Sequence, residues 1–175
     1  MPLTPKETTN LLERLGHRPK KKLGQNFLTD GNIVQKSLGM AELPPHLPVV
    51  EIGPGLGTLT KRLLEAGHPV HAVEIDRCLF DNIESSLAPF VKSKQLNLTR
   101  ADAVKEPIGS LPENAGDYAV VANLPYAISS PWLEALLATG RLPARMVLML
   151  QREAIDRMWA LHGTKNFNAL SIFLQ

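Results

Sequence analysis

The stretch Pro48-Val49-Val50-Glu51-Ile52-Gly53-Pro54-Gly55-Leu56-Gly57-Thr58-Leu59 decides the fold. A short run of strand character, Val49 to Ile52, sits between a proline and a glycine. Behind the glycines Leu56, Leu59, Leu63 and Leu64 recur at helical spacing until Gly67 stops them. A buried strand that turns through glycines into a helix opens a βαβ unit. Working outward, the alternation repeats. Val70 to Ile75 reads as a strand, with Leu79, Ile83 and Leu87 forming a helix behind it. Leu96 to Ala101 reads as a third strand. Tyr118 to Ala122 is a fourth, apolar throughout, as suits burial on both faces. Pro131 to Ala138 is a helix, Met146 to Leu150 a fifth strand, Arg152 to Leu161 a helix, and Leu170 to Leu174 a sixth strand cut short. Upstream, Thr9 to Gly16 and a segment capped by Asp30 (Ile33, Val34, Leu38) read as helices, closed by the Pro44-Pro45 and Pro48 linker. The expected fold is α/β, a mostly parallel sheet with helices on both faces.

Composition bounds the rest. A length of 175 residues with 44% hydrophobic content suits one domain with a sizeable core. The single cysteine, Cys78, excludes an internal disulfide framework and a Cys-rich zinc site. His17, His46, His68, His71 and His162 are scattered without ligand spacing, so no metal is expected. The amino-terminal residues are polar and broken by proline, unlike a signal peptide, and no apolar run reaches the roughly 18 residues of a membrane span. A cytoplasmic location without membrane attachment is the expectation. Charge is uneven: residues 1–22 carry six basic side chains against two acidic, the remainder 13 against 15. Residues 1–22 therefore read as a basic arm beside a near-neutral globule, either a solvated leader or a polyanion-binding element with Arg18, Lys20, Lys21 and Lys22 at its end.

In a doubly wound sheet, ligands bind beyond the carboxyl ends of the strands. After the first strand comes a GxGxG loop, not the GxGxxG of dinucleotide dehydrogenases, and no Gly-Lys-Ser or Gly-Lys-Thr is present; pyrophosphate binding is not the best reading. Glu74, 21 residues after Gly53, is placed to accept hydrogen bonds from both ribose hydroxyls of a nucleoside, or is an ordinary surface acid. Asp102, after the third strand, is either an acceptor for an adenine amine or a helix cap. Asn123-Leu124-Pro125-Tyr126, after the fourth strand, combines an amide, a stiff turn and an aromatic ring. Such an amide, with a nearby backbone carbonyl, can accept both hydrogens of an exocyclic amine and aim its lone pair at an electrophile, which is positioning more than acid–base catalysis. The ring can stack on a base taken out of its loop. In isolation, the tetrapeptide also reads as a plain turn.

Leu23-Gly24-Gln25-Asn26-Phe27-Leu28, Glu51 to Gly57, Glu74-Ile75-Asp76, Asp102-Ala103 and Asn123-Leu124-Pro125-Tyr126 follow one another as in the ribosomal RNA adenine dimethyltransferases. The chain resembles the small-subunit (16S) type from about Leu11 to its last residue. The resemblance implies a Rossmann-like class I methyltransferase using S-adenosylmethionine. Gln25, Asn26 and Leu28 would close over the cofactor from the amino-terminal side. Gly53 and Gly55 would face its methionine and ribose portion, Glu74 the ribose hydroxyls, Ile75 the adenine ring and Asp102 the adenine amine. Asn123 would touch both cofactor and target amine, and Tyr126 would stack on the target adenine. The products would be two adjacent dimethyladenosines in a hairpin near the 3′ end of small-subunit RNA, made by a monomer acting on an immature subunit during ribosome biogenesis.

The family continues past this point with a small helical carboxyl-terminal domain, so residues 23–175 read as a catalytic domain truncated in its sixth strand. Three places depart from the family's pattern or only approximate it: Ala127 where asparagine is frequent, Phe167-Asn168-Ala169-Leu170-Ser171 where Tyr-Gly-Arg-Leu-Ser is frequent, and Gln151-Arg152-Glu153 for Gln-Lys-Glu. The alternatives are a non-catalytic RNA-binding assembly factor, which the retention of Glu74, Asp102 and Asn123 opposes, and a large-subunit RNA methyltransferase of the antibiotic-resistance type. A nicotinamide oxidoreductase is opposed by the glycine phasing.

Overall fold

The computed structural model describes residues 3–18, 27–152, 155, 156, 162 and 164. Helix α1 (Pro5–Arg14) starts four residues before the expected Thr9, because Thr4-Pro5-Lys6-Glu7 is a capping box. The Thr4 hydroxyl accepts the Glu7 amide at 3.3 Å, and the Thr4 amide donates to Glu7 Oε2 at 2.7 Å. Helix α2 (Gly31–Ala41) starts where Asp30 predicts it, with Asp30 Oδ1 accepting the Asn32 amide at 2.8 Å.

The alternation follows as β1 (Val49–Ile52), α3 (Thr58–Glu65), β2 (Val70–Val73), α4 (Arg77–Ser86), α5 (Ala88–Lys92), β3 (Leu96–Thr99), β4 (Ala119–Asn123), a 3-10 turn (Tyr126–Ile128), α6 (Ser129–Ala138) and β5 (Arg145–Met149). Strands β2 and β3 stop two residues short of expectation, where the chain turns toward Asp76 and Asp102. Helix α5 was not anticipated; Pro89 stands in its first turn, where a missing amide costs nothing. Of the helix expected over 152–161, residues 152, 155 and 156 are described and helical, the Ile155 amide donating to Gln151 O at 3.2 Å. Its other residues and the sixth strand expected over 170–174 lie outside the described residues.

All strand pairs among the described residues are parallel, in the order β3-β2-β1-β4-β5. The winding reverses between β1 and β4, which opens a crevice at their carboxyl ends. Alternate strand residues feed two cores. Val50, Ile52, Val73, Val120 and Ala122 pack on one face with Trp132, Leu133 and Leu136 of α6. Val49, Val70, Ala72, Ala119 and Val121 pack on the other with Val34, Leu59, Leu63 and Ile83 from α2, α3 and α4. Helices thus cover both faces, as strands buried on both sides require. This is a doubly wound, Rossmann-like sheet. No helix among the described residues is long and apolar enough to cross a membrane.

Candidate functional site

The crevice at the switch point is an open cleft lined by residues from the ends of β1, β2 and β4 and from the loops after β1, β2, β3 and β4. Its floor is the loop after β1. Gly53 and Gly55 hold left-handed φ angles of +64° and +61°, which disfavour any side chain. The space over each is also taken. A Cβ on Gly53 would lie 3.2 Å from Pro125 Cγ, and one on Gly55 would lie 3.3 Å from Phe27 Cδ1. The glycines therefore let two other segments close on the loop as well as letting a ligand approach it. Pro125 carries the turn after β4 onto the loop, and Phe27 covers it from the amino-terminal side.

Two acidic residues that follow strands reach this crevice. Glu74 follows β2 and is buried; its Oε2 accepts the Gly55 amide at 3.2 Å and its Oε1 the Asp76 amide at 2.8 Å. Burial pushes its carboxyl up, against the pull of those amides, and the nearby Asp76 charge adds to the rise. Ile75 beside it leaves half its surface exposed, an apolar plate at the cleft wall. Asp102, after β3, also lines the cleft, and its Oδ1 caps a turn, not a helix, through the Val104 amide at 3.0 Å. Asn123 is the last residue of β4 rather than the first beyond it, and it lines the cleft with Pro125 and Ile128.

Seven of the expected residues, Leu28, Gly53, Gly55, Glu74, Ile75, Asp102 and Asn123, thus line one cleft. Tyr126 opens the 3-10 turn just beyond it. Gln25, Asn26, Lys20, Lys21 and Lys22 lie outside the described residues. Arg18 is exposed and borders a separate groove with His17, Asp76 and Arg77. Among the described residues no cluster of His, Cys, Asp and Glu has the makings of a metal site.

One residue of the site was missed. Glu51, a motif residue with no expected role, lines the cleft from inside β1 at 2% exposure. Thr60 lies beside its carboxyl and favours the charged form, but neither Glu51 Oε2 nor Thr60 Oγ1 completes a hydrogen bond of ordinary geometry. Burial, with the Glu74 charge adding to it, raises the Glu51 carboxyl to about 8. The available signal was an acid in the middle of an otherwise apolar buried strand, a placement that costs free energy unless something uses it.

The family model described as "Ribosomal RNA adenine dimethylase" matches residues 16–175. The chain belongs to this family. Within the ribosomal RNA adenine dimethylases, it is 56% identical over its whole length to "Ribosomal RNA small subunit methyltransferase A" of Opitutus terrae, covering 63% of that protein. The chain spans between 58% and 63% of the length of the curated relatives it matches. Among solved structures, a dimethyladenosine transferase from Plasmodium falciparum is similar with a TM-score of 0.67 and 30% identity, over 84% of this chain and 51% of that one. The 23S rRNA methyltransferase ErmE is similar with a TM-score of 0.65 and 27% identity, over 84% of this chain and 56% of that one.

Proposed function

We propose that this adenine dimethylase chain carries the catalytic site of an S-adenosylmethionine-dependent RNA methyltransferase. Its substrate is the exocyclic amine of two adjacent adenines in a hairpin near the 3′ end of small-subunit (16S) ribosomal RNA, in an immature subunit. The observation that carries the reading is the convergence of Glu74, Asp102 and Asn123, from three strands, on one glycine-floored cleft.

The residues present fit the cofactor. Glu51 Oε2, buried and without a hydrogen-bond partner, suits the methionyl ammonium, and the left-handed glycines put no side chain of their own into the cleft. Glu74 would take the ribose hydroxyls, Ile75 the adenine ring and Asp102 the adenine amine. Leu28, and Gln25 with Asn26, would close the amino-terminal side. When bound, S-adenosylmethionine supplies an electrophilic methyl group. The protein's part is positioning: the Asn123 amide oxygen accepts a hydrogen of the target amine and aims its lone pair along the transfer line. Tyr126 would stack on the target base, and a single-stranded loop base costs little to splay out. The exposed Arg18 and the lysines at 20–22 supply charge for RNA phosphates.

The small-subunit assignment rests on 56% identity to a relative named for the small subunit, against 27% to ErmE. The test is transfer of labelled methyl groups to immature small subunits, followed by mapping of the modified base. Modification near the 3′ end, lost by 100-fold or more in Asn123→Ala, is expected. A large-subunit product would shift the reading to the resistance type. Cofactor binding without any transfer would point to an assembly factor.

A further inference from the structure

Helix α1 ends on Gly16, whose left-handed φ of +61° closes the helix in two ways. The Gly16 amide donates to Glu13 O at 3.0 Å and the His17 amide to Leu12 O at 2.9 Å. This closure fixes where His17 stands, and its ring turns inward. His17 Nε2 lies 3.3 Å from Asp76 Oδ2, with side-chain exposures of 3% and 1%. The contact is close but not aligned: neither ring nitrogen has a hydrogen-bond partner. A leucine or phenylalanine would fill this space without burying unsatisfied nitrogens.

One neighbour of the ring, Phe27, lines the cleft, and the other, Asp76, holds a residue that does. The amide of Asp76 holds Glu74 Oε1 at 2.8 Å, and its Oδ1 caps α4 through the amides of Cys78 and Leu79 at 3.0 and 3.3 Å. On the other side, the His17 ring meets Phe27 edge to face, with centroids 6.2 Å apart and planes at 82°. Phe27 in turn covers Gly55. One side chain therefore touches the turn that holds Glu74 and the aromatic ring that covers the glycine floor.

We propose that His17 is a positioning residue for the cofactor site. Wedged between Asp76 and Phe27, it sets the Glu74-Ile75-Asp76 turn and the height of Phe27 over Gly55, and so tunes cofactor affinity from outside the cleft. The inference rests on the reading that the cleft takes S-adenosylmethionine.

Two substitutions separate the two contacts. His17→Phe keeps an aromatic edge against Phe27 and drops the polar contact to Asp76. His17→Asn keeps an N–H for Asp76 and drops the ring. Calorimetry with S-adenosylmethionine should show Kd raised 3- to 10-fold in each. In methyl transfer, KM for the cofactor should rise in step while kcat at saturating cofactor and KM for RNA stay within twofold. Unchanged Kd in both variants alongside a lowered Tm would overturn the proposal and leave His17 as packing. A fall in kcat at constant cofactor KM would overturn it too.

If a variant fails to fold, the unaltered chain decides: the His17 ring-proton resonances should shift when S-adenosylmethionine is added, and unmoved resonances overturn the proposal. Unaltered protein that binds no S-adenosylmethionine overturns the underlying reading and this inference with it. Unaltered protein that binds, beside variants that bind equally, overturns this inference alone.

Discussion

Glu51 is a carboxyl group that the fold keeps uncharged near neutrality. Its folded value is about 8, raised by burial, against an ordinary value of 4.5. Between those two values the folded chain holds a proton that the unfolded chain has released, so stability declines as pH rises across the window. Glu74, also raised by burial, adds in the same direction. Glu51→Gln should flatten this decline, with a higher Tm than the parent at pH 8 in the absence of cofactor. Binding of a cationic cofactor requires the ionised acid, so parental affinity should rise by up to tenfold per pH unit below about 8, and the Gln variant should lose that slope; calorimetry across pH 6 to 8.5 checks both. Gly53 is the second residue with a sharp expectation. Gly53→Ala forces a side chain into a left-handed backbone and against Pro125 Cγ at 3.2 Å. It should cost about 1–3 kcal/mol of stability and weaken cofactor binding, as read by denaturant unfolding and calorimetry.

At the level of elements, the segment between β3 and β4 carries Asp102 and is held down by α6. Trp132 is wholly buried, and its indole Nε1 donates to Pro107 O at 3.0 Å. Trp132→Phe should lower stability by about 1–3 kcal/mol by leaving that carbonyl unpaired, with a larger effect on cofactor affinity than on far-UV circular dichroism. The strands and most helices were legible because apolar strands such as Tyr118 to Ala122 and caps such as Asp30 act locally. What was not legible depends on distant neighbours. The early start of α1 was written in Thr4 and Glu7 and overlooked. The ends of β2 and β3 follow from where Asp76 and Asp102 must turn. The site residues were readable from their places after strands. The role of Glu51 was not, because only the fold reveals that its oxygen has no partner, and the contacts of Gly53 with Pro125 and Gly55 with Phe27 join residues far apart in the chain.

Across the whole molecule, charge is divided as shape is. The cleft is lined by acids, Glu51, Glu74 and Asp102, and, among the described residues, by no basic side chain, which suits a cationic cofactor more than a polyanion. Basic charge is concentrated in residues 1–22, and Arg18 among them is exposed. Neutralising Lys20, Lys21 and Lys22 together should weaken RNA binding and reduce the slope of log K against log salt by about two to three, since each phosphate contact contributes roughly −0.7 to −0.9. Cofactor affinity should be unchanged. Fluorescence anisotropy with a hairpin RNA at several salt concentrations checks this, and an unaltered slope rejects the role of the arm.

The pairing of β1 with β4 joins Val49 to Ala119 across 70 positions of chain. Everything proposed to grip the cofactor's adenosine comes before residue 104, while Asn123, Pro125 and Ile128 come after it. A chain that has wound only its first half has part of a cradle and no amide to aim an amine. Among the strand pairings, the one that unites the two spans the longest stretch of chain and so carries the largest loop-closure entropy. On the proposed reading, the cradle and the aiming amide come together only once both halves of the sheet are wound.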